Sequence, residues 1–241
     1  MEILEEFRDQ INPLIFTEVW SLPTTDGSKN NRNSLKLALE DFQAAGFAIE
    51  RSGANKGKLI HQETGDQLTM EFLFYSDNFD AILGPLVEDL KRLGVDASLK
   101  RIDTGAWINR LTERDFDITS ISYSNSFYPG EEQRWRWHSD FADQPQSWNL
   151  TAMKNPVVDT LIERLLEQTE YEDLVAHAQA LDFILKWDYP GLFEWYIDAD
   201  RLVYWDRFGK PDKKPAYSLG TASWWIDEEK DALIQASGYR K

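Results

Sequence analysis

Residues 68–102 constrain this chain more than any other stretch. Leu68–Tyr75 is apolar and aromatic at strand length, Asn78–Leu93 repeats apolar residues at helical spacing, and Val95–Ile102 returns to a strand pattern. Gly94 stands where the helix must stop. Two strands joined through a helix cannot form a hairpin, so they must pair in parallel through a right-handed crossover. A parallel sheet needs cover on both faces, so the fold must be α/β. Ile82, Leu86, Leu90 and Leu93 form the expected inward face of that helix. Asp117–Tyr123 reads as a third main strand.

The flanking segments supply the cover. Leu35–Phe47 (LKLALEDFQAAGF) is an amphipathic helix with Leu35, Leu39 and Phe42 inward, Asn31 or Asn33 as cap, and Gly46 as its end. Ala48–Glu50 and Leu59–Ile60 are short strands, and Trp107, Ile108 and Leu111 mark a short helix. A helix over Pro156–Glu167 starts on proline, as a first turn allows. The next, Glu172–Trp187, turns Leu174, Ala178, Leu181 and Leu185 inward. Leu192–Ile197 and Leu202–Trp205 read as strands, Phe208–Ser218 as a loop and Asp227–Ala236 as a last helix. Upstream, residues 1–16 are helical until Pro13, and Ser21–Asn33 is a polar loop.

Several function classes drop out. A net charge of −16 argues against nucleic acid and anionic membrane, both of which are held by clustered Lys and Arg. Without cysteine there is neither a disulfide framework nor a thiolate site. The start, MEILEEFRDQ, is acidic and lacks a signal peptide's apolar core, and no run reaches the roughly 18 apolar residues of a membrane span, so no membrane insertion is expected. His61, His138 and His177 lie in three different elements. Only His138 with Asp140 and Asp143 is locally ligand-like, and the reading is no metal and no cofactor. Gly53–Gly57 (GANKG) is neither a P-loop nor a dinucleotide fingerprint, and the serine-nucleophile elbow is absent. Glu131, Glu132, Asp140 and Asp143 sit near tryptophans, so a carbohydrate-active enzyme or glycan-binding module stays open as a rival. A third option is an interaction domain whose acidic surface docks a basic partner.

Aromatic residues cluster in two stretches, Tyr123–Trp148 and Trp187–Trp225, out of ten Trp, nine Tyr and thirteen Phe. Trp pairs a flat apolar face with one N–H donor, which suits an amphipathic pocket. Trp135-Arg136-Trp137 lies in what reads as a long loop over Trp135–Asp159. In an extended segment, positions i and i+2 share a face, so the two tryptophans would point one way and Arg136 the other.

The order of motifs resembles bacterial extracellular solute-binding proteins of the oligopeptide-binding family, over roughly Leu35–Trp205. The matching segments are Leu39–Phe47 (LEDFQAAGF), Leu90–Val95 (LKRLGV), Trp107–Asp117 and Asn155–Ile162 (NPVVDTLI). Phe7–Pro13 (FRDQINP), Leu22–Leu35 (LPTTDGSKNNRNSL), Pro129–Asp143 (PGEEQRWRWHSDFAD) and Tyr204–Tyr217 resemble the branch that binds long peptides and the peptide–nucleotide antibiotic microcin C. The resemblance implies a type II periplasmic-binding-protein-like lobe, with a mixed, mostly parallel sheet flanked by helices. It implies a periplasmic parent that hands peptide or peptide-like ligand to ABC transporter permease subunits and catalyses nothing. Residues 1–34 would then lead in from a first lobe upstream, 35–205 form the C-terminal ligand-binding lobe, and 206–241 return toward the first lobe. Many peptide-binding members carry an acidic residue after the Asp117 strand that pairs with the peptide's amino terminus. Here Asn125 or Ser126 holds that place, and a neutral residue cannot form a charge-assisted bond. Ser124 and Asn125 are the expected backbone readers. Tyr123, Trp135 and Trp137 would wall the cleft, Asn149 would bond a ligand amide, and Arg134 would meet a carboxylate or phosphate.

Overall fold

The computed structural model describes residues 2–24, 31–125, 128–188, 191–194, 196–216 and 218–238. They fall into two compact units, Met1–Gly191 and Leu192–Lys241.

The first unit opens with a short helix α1 (Glu2–Glu5) and a 3-10 turn (Pro13–Phe16). Helix α2 (Arg32–Ala44) follows, with Gly46 in the left-handed conformation just beyond its end. Asn31 stands at the helix start, yet its side chain bonds Asp89 and Arg92 in place of capping. Strands β1 (Phe47–Ile49) and β2 (Leu59–His61) form an antiparallel pair.

The crossover unit forms as its pattern requires. Strand β3 (Thr69–Phe74) runs into helix α3 (Asn78–Arg92) and then β4 (Asp96–Arg101), and the two strands pair in parallel. Helix α4 (Thr104–Glu113) carries the chain back over β3 to β5 (Ile118–Thr119), also parallel, so the strand order is β4-β3-β5. The inward face of α3 is Phe79, Leu83, Val87 and Leu90, whereas Ile82 and Leu86 are exposed. Leu90 and Leu93 turn inward as expected, while Leu83 and Val87 take the places expected of Ile82 and Leu86. Gly94 turns the chain at φ +86° so close to its neighbours that a Cβ there would lie 2.5 Å from Gly57 O and 2.7 Å from Leu59 N.

Helix α5 (Glu131–Trp137) replaces the expected start of a long loop. Then α6 (Pro156–Glu167) and α7 (Tyr171–Asp188) pack together, with Val158, Leu161, Ile162 and Ile184 wholly buried alongside Leu4 from α1. Asn155 caps α6 by accepting from Val157 N and Val158 N. A separate core of Leu73, Trp107, Leu111 and Leu150 seals α4 against the sheet.

The second unit holds the antiparallel pair β6 (Phe208–Gly209) and β7 (Trp225–Ile226), then α8 (Glu228–Ala236), capped by Asp227. Lys210 sits over the rings of Tyr204 (4.4 Å) and Trp224 (4.6 Å). The expected strands 192–197 and 202–205 are irregular at every described residue, and Leu192, Tyr196, Ile197, Val203 and Trp205 are exposed. Their alternating apolar character finds no ladder partner among the described residues, and propensity alone does not make a strand.

Candidate functional site

In an open α/β sheet, ligands sit outside the carboxyl ends of the strands, where successive connections leave in opposite directions. Here the connection after β3 leads to β4 on one side, and β5 lies on the other. Between the carboxyl ends of β3 and β5 opens a crevice of about 250 Å³, walled by Tyr75, Phe79, Trp107 and Trp148 and floored by Ser120, Ile121 and Ser122.

Each wall is fixed from beneath. Tyr75 leans on Trp107 at 4.6 Å between ring centroids and on Phe79 at 6.3 Å. Trp107 Nε1 donates to Thr119 Oγ1 (3.0 Å), which itself donates to the Leu73 carbonyl (2.9 Å), tying helix α4 to both strands at the crevice floor. Trp148 is 48% exposed and offers a free ring face. Beyond Thr119 the ladder stops. The main-chain groups of Ile121 and Ser122 have no hydrogen-bond partner among the described residues. The expected strand over 117–123 is therefore two residues long, and its remainder is open backbone beside the crevice.

The chain then passes Tyr123, Ser124 and Asn125, and Arg136 from α5 clasps all three. Its guanidinium lies 4.6 Å over the Tyr123 ring and donates to Asn125 Oδ1 (2.6 Å) and the Ser124 carbonyl (2.8 Å). Burial pushes the Tyr123 hydroxyl above its ordinary pKa, and the Arg136 charge pulls against that. Ser126 lies outside the described residues.

The other expected site residues are placed differently. Because α5 is a helix, Trp135 and Trp137 do not share a face. Trp137 is 9% exposed and packs edge-on against Tyr123 at 5.8 Å, while Trp135 is 50% exposed. Arg134 is spent on Glu163, with one terminal nitrogen donating to both carboxylate oxygens, and lies 3.6 Å from Glu131. Asn149 is 0% exposed, with its amide turned wholly inward to His138 O and to Met153 N and O. No ligand atom can reach it in this conformation, so it braces the loop behind Trp148.

The acidic candidates are also spoken for. Glu132 accepts from Gly130 N, His138 lies 3.5 Å from Asp140 and 3.2 Å from Glu163, and Lys154 pairs with Asp143 at 2.6 Å. Among the described residues, no group of three or more His, Cys, Asp or Glu is arranged to hold a metal ion, and no helix is long and apolar enough to cross a membrane. A second hollow of about 560 Å³ lies at the α6–α7 turn, lined by Tyr128, Leu165, Leu166, Glu170, Tyr171 and Leu174. It touches no strand end. Tyr75, Trp107 and Trp148 escaped the sequence reading as ligand residues. The signal for the first two is position: Tyr75 directly follows the parallel strand β3, and Trp107 lies in the first turn of α4, the helix between β4 and β5.

No family model matches the chain. The protein named "Probable peptide-binding protein YejA" of Agrobacterium fabrum is 31% identical over 93% of this chain and 36% of its own length. The chain spans about a third of the length of the curated relatives it matches. Among solved structures, the oligopeptide-binding protein AppA of Bacillus subtilis in complex with a nonapeptide superimposes with a TM-score of 0.61 at 16% identity, covering 94% of this chain and 45% of that one. A periplasmic oligopeptide-binding protein of Thermotoga maritima with mannohexaose bound gives 0.54 at 19%, covering 65% and 29%. The fold is therefore that of a lobe of the periplasmic oligopeptide-binding proteins.

Proposed function

We propose that this chain is the C-terminal ligand-gripping lobe of an ABC importer's substrate-binding component. It captures oligopeptides or peptide-like solutes by cleft closure and performs no chemistry on them. One observation carries the reading: the open main chain of Ile121 and Ser122 continues an edge strand past an aromatic crevice. An extended peptide laid alongside adds a strand. Main-chain bonds then supply affinity without regard to sequence, and alternate side chains enter the crevice. Tyr123, Ser124 and Asn125 continue the same track, Trp135 faces solvent beyond it, and Trp137 packs against Tyr123 from the core. Among the described residues no carboxylate lines the crevice, which weighs against glycoside hydrolysis by paired acids.

This reading carries with it the branch that takes long peptides and microcin C, a periplasmic parent, a first lobe that closes over the ligand, and permease partners; the likeness to a protein named as peptide-binding supports its peptide part. Exposed Trp225 and Ile226 fit a tail over 206–241 that returns to that lobe. The test is to dialyse the 241-residue chain against a mixed peptide pool and an oligosaccharide panel, then identify what it retains by mass spectrometry. Peptides retained unchanged are the expected result. Retained or cleaved oligosaccharides, or no enrichment of peptide, would overturn the reading, because aromatic walls can also stack on sugar rings.

A further inference from the structure

Arg136 stands apart from its neighbours on α5. Arg134, two residues earlier, is neutralised by Glu163. Arg136 donates only to a side-chain amide oxygen and a carbonyl, and no carboxylate lies within ion-pair distance of it among the described residues. Glu132, one turn before it, is turned back onto Gly130 N at 3.0 Å. A full positive charge therefore sits on the track Tyr123-Ser124-Asn125, in a chain of net charge −16. A guanidinium carries five N–H donors in a planar fork, and neutral acceptors here occupy only two of its nitrogens.

We propose that Arg136 is the charge-selecting residue of the ligand track and that the captured peptide presents a carboxylate to it. The proposal rests on the peptide-capture reading and narrows it to a class of ligand. The overall negative charge repels an acidic peptide everywhere except near a local cation, so Arg136 sets where an acidic group settles. Stacking on Tyr123 holds the fork flat, and the two neutral bonds fix its rotation without quenching its charge. A ligand carboxylate then gains a charge-assisted bond that an amide of the same shape does not. Ser124 and Asn125 offer no charge to an ammonium group, so the track favours anionic over cationic ligand groups.

The test uses four nonapeptides of one extended sequence: a central Glu or its Gln isostere, each with the carboxyl terminus free or amidated. Binding to the 241-residue chain is measured by equilibrium dialysis at low ionic strength and at high salt. At low salt one carboxylate is expected to tighten binding about fivefold over its neutral twin, and the two pairs of arms tell a side-chain acid from a terminal one. In Arg136→Gln the ratio should fall to about one. In Arg136→Lys it should persist while all affinities drop, because the charge stays and the planar stack goes. Lys36→Gln removes the same charge at an exposed site remote in sequence and should leave the ratio alone. A ratio near one on the native chain, with neutral peptides still bound, overturns the proposal and leaves peptide capture standing. If none of the four binds, the capture reading falls and the proposal with it.

Discussion

Replacing Asn149 with alanine separates a ligand contact from a structural brace. Its side-chain amide donates to His138 O (3.1 Å) and Met153 O (2.9 Å) and accepts from Met153 N (2.9 Å), with 0% of the residue exposed. Truncation leaves the Met153 N–H without its acceptor in a dry site, which costs about 1–3 kcal/mol, and removes the donor from two carbonyls at about 0.5–1 kcal/mol each. The bonds that the Asn149 main-chain oxygen accepts from Arg114 Nε and Ala152 N survive the change. The expected loss is about 3 kcal/mol. With a urea slope of about 2 kcal/mol per molar, the midpoint should fall by about 1.5 M, and the slope should stay constant. Near-ultraviolet circular dichroism in a urea titration reads this directly. A loss under about 1 kcal/mol, or weaker peptide binding at unchanged stability, would refute the brace and return Asn149 to the ligand surface.

Other substitutions probe the frame and the crevice. Gly94→Ala combines a φ of +86° with a Cβ that would approach backbone atoms at 2.5 and 2.7 Å. It should cost more than about 2 kcal/mol in the same titration. Trp148→Ala removes a half-exposed crevice wall. Stability should move by less than about 0.5 kcal/mol while peptide affinity by equilibrium dialysis falls about tenfold. Glu71 gives a pH test. Burial alone would push its carboxyl up, but Lys100 (3.1 Å) and Arg110 (2.9 Å) outweigh that and hold it below its ordinary value of 4.5. A depressed folded pKa means the stabilisation is fully present above the ordinary value and is lost as pH falls through the lowered one. The native urea midpoint should therefore decline below pH 4.5, and Glu71→Gln should flatten that part of the decline.

What could be read in advance depended on whether the cause was local. Helix α6 was legible because Pro156 and Asn155 mark its start and its apolar spacing runs without interruption. The β3–α3–β4 unit was legible because its length leaves only a crossover. The face of α3 was not, since Ile82 and Leu86 fit a helical stripe as well as Leu83 and Val87 do, and only packing on the sheet chooses between them. Trp135 and Trp137 do not share a face because Gly130 and the acidic first turn start a helix where aromatic residues flanking Arg read as an extended segment. The buried amide of Asn149 bonds its own loop, and nothing in the residue type distinguishes that from an amide that bonds a ligand. Arg136 emerged only when α5 brought it back over Tyr123.

Amide hydrogen exchange of this chain, with and without a saturating nonapeptide, tests the central claim most directly. The N–H groups of Ile121 and Ser122 have no hydrogen-bond partner among the described residues and should exchange fast. With peptide present they should slow together with the segment through Asn125. Protection confined to the α6–α7 hollow, or no change near β5, would contradict peptide capture by strand addition at the sheet's carboxyl edge.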